Sequence, residues 1–145
     1  MLNRRELMQR ALMTAAIPRS CCSTPTAPPD STSFEGGRVE IDLAKAKALR
    51  PAGGSVKIVN PERGVDIIVA HVAKKQFAAW DRACTHGGVQ VTYDPEHRTV
   101  MCTSWGHSEF DLQGNVLRGS AREPLRAYRV VLSDNRLLID LEAKP

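Results

Sequence analysis

The chain has 145 residues, a net charge of +4 at pH 7 and only 5% aromatic residues. That length fits one domain plus an extension, and its core must be built from aliphatic side chains. Basic residues beyond position 36 are scattered, which excludes a nucleic-acid footprint, and no apolar run reaches the roughly twenty residues that cross a bilayer.

Residues 1–20 read as a targeting segment. Asn3-Arg4-Arg5-Glu6-Leu7-Met8 resembles a twin-arginine export motif, and Ala11 to Ile17 is apolar. The expected destination is extracytoplasmic, in the periplasm. Membrane association is allowed only through this N-terminal segment. Cys21 or Cys22 is a candidate lipidation point, although Pro18-Arg19 fits a lipobox poorly. Residues 21–35 are rich in Ser, Thr and Pro and read as a tether with too little apolar surface to order itself. The domain is expected over 36–145.

From Gly36 the texture is that of short strands. Val39 to Leu43 and Ser55 to Val59 alternate apolar and polar, and Asp66 to Val72 is rich in β-branched residues. Ala73-Lys74-Lys75-Gln76 turns the chain so that Phe77 to Arg82 returns antiparallel. Val89 to Tyr93 and Arg98 to Met101 flank a turn at Asp94-Pro95-Glu96. Phe110-Asp111 and Val116-Leu117 follow, and Tyr128 to Leu132 with Leu137 to Leu141 close the chain as a hairpin. Only Leu43 to Leu49 looks briefly helical. This spacing predicts an all-β antiparallel sandwich with a small subdomain.

Two loops carry metal-ligating side chains. Cys84-Thr85-His86 follows one strand and Cys102-Thr103-Ser104-Trp105-Gly106-His107 follows another, with a hairpin between them. Neighbouring hairpins can bring both loops to one end, each presenting a thiolate and an imidazole. Gly87, Gly88 and Gly106 let the backbone turn tightly there.

These residues resemble the Rieske family, whose pattern is Cys-x-His and then, after a hairpin-length gap, Cys-x-x-His. The resemblance implies a [2Fe-2S] cluster with Cys84 and Cys102 on one iron and His86 and His107 on the other. It continues through Ser108-Glu109-Phe110-Asp111 and a covering loop from Gly119 to Leu125 that includes Pro124. It implies Ser108 as a hydroxyl donor to a bridging sulfide. Phe110 stands where high-potential members carry tyrosine, so it offers no donor to thiolate. Trp105 is a candidate shield or docking residue. The centre is thus expected in the lower part of the class range, roughly −150 to +300 mV, all the more if Glu109 points inward.

Two departures from the family pattern stand out. The position three residues after Cys102 is Trp105, and Gly106-His107 reads as an inverted His-Gly, so the second loop holds one extra residue. Either that loop bulges and His107 still reaches iron, or the site is degenerate; the expectation is the former. Secondly, Val89 and, approximately, Ser104 occupy the places of a disulfide found in cytochrome bc-type members. The chain resembles the disulfide-free class of dioxygenase ferredoxins and oxidase small subunits.

The resemblance implies one-electron transfer, as a free carrier or a subunit of a larger oxidoreductase rather than a self-contained enzyme. A protein redox partner would dock at the tip formed by the two loops. A structural zinc site on the same four side chains is the competing class, but Cys-x-His is tighter than usual zinc spacing. A metal-free interaction module is the third. His71 and His97 read as a strand-face and a turn residue, and Arg118, Arg122 and Arg126 as solvated surface.

Overall fold

The computed structural model describes residues 23–143. The expected targeting segment and the two candidate lipidation cysteines lie outside these residues. The described residues form eleven strands: β1 (Thr32–Glu35), β2 (Arg38–Asp42), β3 (Ser55–Asn60), β4 (Val65–Ala73), β5 (Gln76–Asp81), β6 (Val91–Asp94), β7 (Thr99–Cys102), β8 (Glu109–Phe110), β9 (Val116–Arg118), β10 (Ala127–Ser133) and β11 (Arg136–Asp140). They make a seven-stranded sheet in the order β1-β2-β11-β10-β5-β4-β3 and a four-stranded sheet in the order β6-β7-β8-β9. All named strand pairs are antiparallel, so the all-β expectation holds. The short helical expectation reduces to one 3-10 turn, Lys47–Leu49.

Strand periodicity explains why there are two cores. Successive residues of a strand face opposite sides. On β4, Ile67 and Val69 enter one cluster with Val39, Ile41, Leu49, Leu137 and Ile139. The alternate residues Ile68 and Ala70 enter a second cluster with Trp80, Val91, Val100, Cys84, Cys102, Phe110 and Leu125. The run Ile67-Ile68-Val69-Ala70 is continuously apolar because this strand is buried on both faces. The small sheet therefore packs on one face of the large one, and both candidate cysteines belong to that packing.

The Ser/Thr/Pro-rich stretch is more ordered than its composition suggests. Ala27 N–H donates to Lys57 O at 2.9 Å and Lys57 N–H donates to Pro25 O at 2.8 Å, so residues 25–27 line the free edge of β3. Thr24 Oγ1 lies 3.3 Å from Thr92 Oγ1 in the small sheet. β1 pairs with β2 four residues before the expected domain start, with Thr32 opposite Ile41 and Glu35 opposite Arg38. Sheet edges supply the hydrogen bonds here, and edge pairing does not require an apolar segment.

Candidate metal centre

The site is built by three loops at one end of the small sheet. The first, 84–89, is closed by Cys84 N–H donating to Val89 O at 2.7 Å and Gly88 N–H donating to Cys84 O at 2.9 Å. Gly87 and Gly88 have φ of 144° and 72°, conformations that disfavour a side chain. The second, 102–108, is closed by Cys102 N–H donating to Ser108 O at 2.8 Å. Thr103 ties the two together: its N–H and its hydroxyl both donate to Gln90 O, at 3.1 and 2.9 Å. The third, 119–125, is joined to the first by Thr85 Oγ1 donating to Glu123 O at 2.8 Å. It is joined to the second by Ala121 N–H donating to Ser108 Oγ at 2.9 Å.

The structure brings the two cysteines together. Cys84 and Cys102 are free, buried and in side-chain contact. Burial pushes the Cys84 thiol above its ordinary pKa, and the neighbouring Cys102 thiol adds to this; the His86 N–H and the Ser108 hydroxyl, both directed at Cys84 sulfur, act the other way. Ser108 is fully buried and its hydroxyl oxygen accepts from Ala121 N–H, so it is not an ordinary exposed loop hydroxyl. On the other cysteine, Ser104 Oγ lies 3.0 Å from Cys102 Sγ.

The histidines are placed differently. His86 and His107 are exposed at the loop tip. His86 borders a pocket of about 480 Å³ lined by Thr85, Ser120, Arg122 and Glu123. A Cβ on Gly106 would lie 3.6 Å from His86 Nδ1, so position 106 faces the first imidazole directly. His107 follows with φ of 40°, a left-handed conformation unusual for a side-chain-bearing residue. Among the described residues no three His, Cys, Asp or Glu side chains converge on one ion-sized point.

This donor set fits a two-iron, two-sulfur cluster. Two thiol sulfurs converge, N–H and O–H donors point at them, and the imidazoles lie outside the thiol pair. A single tetrahedral zinc would need all four donor atoms within about 4 Å of one another, given metal–ligand lengths of roughly 2.0–2.3 Å. A binuclear core instead separates its thiolate end from its imidazole end.

The flanking residues bear on charge and access. Phe110 is fully buried in the core of the small sheet. Glu109 is also buried, but its carboxylate pairs with Arg118 Nε. The negative charge considered for Glu109 is therefore paired, since β8 and β9 lie side by side with Glu109 opposite Arg118. Arg118 is thus more than solvated surface. Trp105 is 97% exposed and packs on nothing, and Pro124 is exposed as well. His71 Nδ1 donates to Leu49 O at 3.0 Å while its ring stacks on Phe77 at 4.3 Å, and His97 pairs with Asp94 at 2.7 Å. Both are remote structural histidines.

Sequence reasoning did not foresee two features of this site. Ser104 as a sulfur contact depends on a turn that no local pattern encodes. Gly119 has φ of 95° and its backbone presses on Ser108, a contact visible only once the third loop is folded over the second.

The chain matches the family model described as Rieske [2Fe-2S] domain over residues 41–129. It is 30% identical over 124 residues to the cytochrome b6-f complex iron-sulfur subunit 2 of Trichormus variabilis, covering 77% of this chain and 66% of that protein. It thus spans just under two thirds of the length of that relative. It is 33% identical over 91 residues to the 3-phenylpropionate/cinnamic acid dioxygenase ferredoxin subunit of Photorhabdus laumondii, covering 61% of this chain and 83% of that subunit. Among solved structures, the plasma membrane Rieske protein PetC3 from Synechocystis PCC 6803 superposes with a TM-score of 0.50 at 28% identity, covering 59% of this chain and 84% of that one. A chain from the complex of reduced oxygenase and oxidized ferredoxin in carbazole 1,9a-dioxygenase reaches 0.59 at 22% identity, covering 73% and 96%, a likeness of fold. Loops, buried thiol pair and family match agree: the chain belongs to the Rieske [2Fe-2S] domain family, whose members bind a two-iron, two-sulfur cluster and transfer electrons.

Proposed function

We propose that this domain carries single electrons outside the cytoplasm, with Cys84 and Cys102 holding one iron and His86 and His107 the other. The observation that carries the reading is the buried Cys84–Cys102 pair with hydroxyl and amide donors on its sulfurs. When bound, such a cluster takes up and returns one electron at a higher potential than an all-cysteine cluster. The protein's own part is to desolvate the sulfur end in the small-sheet core and to leave the histidine end at the surface.

His107 as the fourth ligand requires the 102–107 loop to direct its imidazole toward the His86 side. The left-handed backbone at His107 supports this, because such a conformation re-aims a side chain relative to its neighbours. Trp105 and the half-exposed Val89 flank the exposed histidines and form an apolar rim for a protein redox partner. The domain works as a free carrier or as a subunit; the relatives include a cytochrome complex subunit and a dioxygenase ferredoxin. Among the described residues no helix is long and apolar enough to cross a membrane. The Arg4-Arg5 segment supports export of the folded, loaded protein.

Native purified protein should be red-brown, with two irons and two acid-labile sulfides per chain. On reduction it should give the electron paramagnetic resonance signal of a mixed Cys/His cluster. A colourless protein carrying one zinc would refute the assignment.

A further inference from the structure

Ser104 supplies the only hydroxyl hydrogen-bonded to Cys102 sulfur among the described residues, at 3.0 Å. Its position is fixed from both sides. His107 N–H donates to Ser104 O at 3.1 Å, and the preceding Thr103 is held by two hydrogen bonds to Gln90 O. Ser104 is itself half-buried, so water competes poorly for its hydroxyl.

We propose that Ser104 tunes the centre by donating its hydroxyl proton to Cys102 sulfur. The proposal rests on the cluster assignment to Cys84 and Cys102. A thiol and a hydroxyl can each donate, but a metal-bound thiolate can only accept, which fixes the direction of the bond. Reduction by one electron adds one negative charge to the centre. A hydrogen bond to sulfur is stronger in that more negative state, so it favours reduction and raises the potential. Phe110, buried in the same core cluster as both cysteines, supplies no such donor. The hydroxyl next to Cys102 therefore comes from the second ligand loop itself. Val89 and Ser104, which stand where other members place cysteines, thus have different fates: one is an exposed apolar side chain and the other a sulfur ligand's partner.

The test uses the full, cluster-loaded chain and the isosteric pair Ser104→Thr and Ser104→Val, with Ser104→Ala beside them. Film voltammetry reads the potential, and the visible and paramagnetic resonance spectra verify the cluster. The threonine variant should keep the parent potential. The valine and alanine variants should show a roughly tenfold smaller equilibrium constant for one-electron reduction, a fall of about 59 mV. Equal potentials for valine and threonine, with intact spectra, overturn the proposal. So does loss of colour in valine and alanine with colour kept in threonine, because the hydroxyl would then hold the centre rather than tune it. A colourless parent protein would instead overturn the cluster assignment.

Discussion

Gly119 lies directly against the backbone of Ser108: a Cβ at position 119 would be 2.5 Å from Ser108 Cα and 2.7 Å from Ser108 N. No side-chain adjustment relieves such a contact, because both atoms belong to the loop that carries Cys102. Gly119 also has φ of 95°. The covering loop can thus close over the second ligand loop only through a residue without a side chain.

Gly119→Ala should therefore lift the third loop off Ser108 and break the bond from Ala121 N–H to Ser108 Oγ. The cost should be on the order of 2–4 kcal/mol, from overpacking and positive-φ strain together. Thermal denaturation and iron retention under mild chelation read it. Unchanged values for both would show that the third loop does not hold the site.

Gly106 and His107 define the second test. Position 106 faces His86 and position 107 is left-handed, so the residue types are reversed relative to what each backbone position favours. His107→Ala should lose the mixed-ligand spectrum, and His97→Ala should keep it. The exchange Gly106→His with His107→Gly should retain the cluster and relieve roughly 1 kcal/mol of left-handed strain. Ser120 Oγ, 2.9 Å from the new Cβ, must rotate away, which is cheap for a terminal hydroxyl. A native spectrum in His107→Ala would exclude His107 as a ligand.

The buried Glu109 carboxylate and the Arg118 guanidinium make a third. Arg118→Gln leaves a buried carboxylate unpaired beside the second ligand loop. Stability should fall by about 1–3 kcal/mol, at the low end because Arg118 is largely exposed. The potential should fall too, since uncompensated negative charge disfavours an added electron. Glu109→Gln with Arg118→Gln should recover most of both. If the single variant keeps the parent potential, the pair does not shield the centre.

Arg4→Lys with Arg5→Lys should trap the protein in the cytoplasm, because that arginine pair is what the twin-arginine route reads. Fractionation of cells carrying parent and variant decides it. Equal export of both would remove the basis for an extracytoplasmic carrier.

These outcomes depend on features of very different legibility. The two loops of the candidate site were readable because Cys84, His86 and Cys102 stand in a local spacing, and their part as ligands is what the proposed function adds. The run Ile67-Ile68-Val69-Ala70 announced a strand, and its two-sided burial follows from unbroken hydrophobicity. β1 was missed because Thr32 and Ser33 satisfy their backbone at a sheet edge, where pairing is set by β2 and not by side-chain pattern. Residues 25–27 escaped for the same reason on the opposite edge. Ser104, Gly119 and the Glu109–Arg118 pair are meetings between segments, so their roles depend on loop closure that local sequence does not encode.

Tyr128 gives the last prediction, on pH. Its hydroxyl donates to Asp81 Oδ1, and it lies on β10 beside β5, away from the ligand loops. Burial raises its pKa most, followed by the hydrogen bond to Asp81 and the negative charge of that carboxylate; Arg126, 4.9 Å over the ring, opposes them weakly. The neutral phenol is thus held more tightly in the folded state than in the unfolded chain, where its pKa is about 10. The resulting stability is fully present below pH ~10 and is lost as pH rises above that value toward the higher folded pKa. Tyr128→Phe never has this term. At neutral pH it should be less stable than the parent by about 1 kcal/mol, because Asp81 loses a donor. Above pH ~10 the gap should narrow, since only the parent still loses stability through this group. Tyr93, also raised by burial, is present in both proteins and cancels in the difference. Denaturant midpoints across this range, together with ultraviolet tyrosinate absorbance, provide the measurement. A gap that stays constant, or a Tyr128 phenol that ionises freely in the folded protein, would show that the Asp81 contact does not govern alkaline stability.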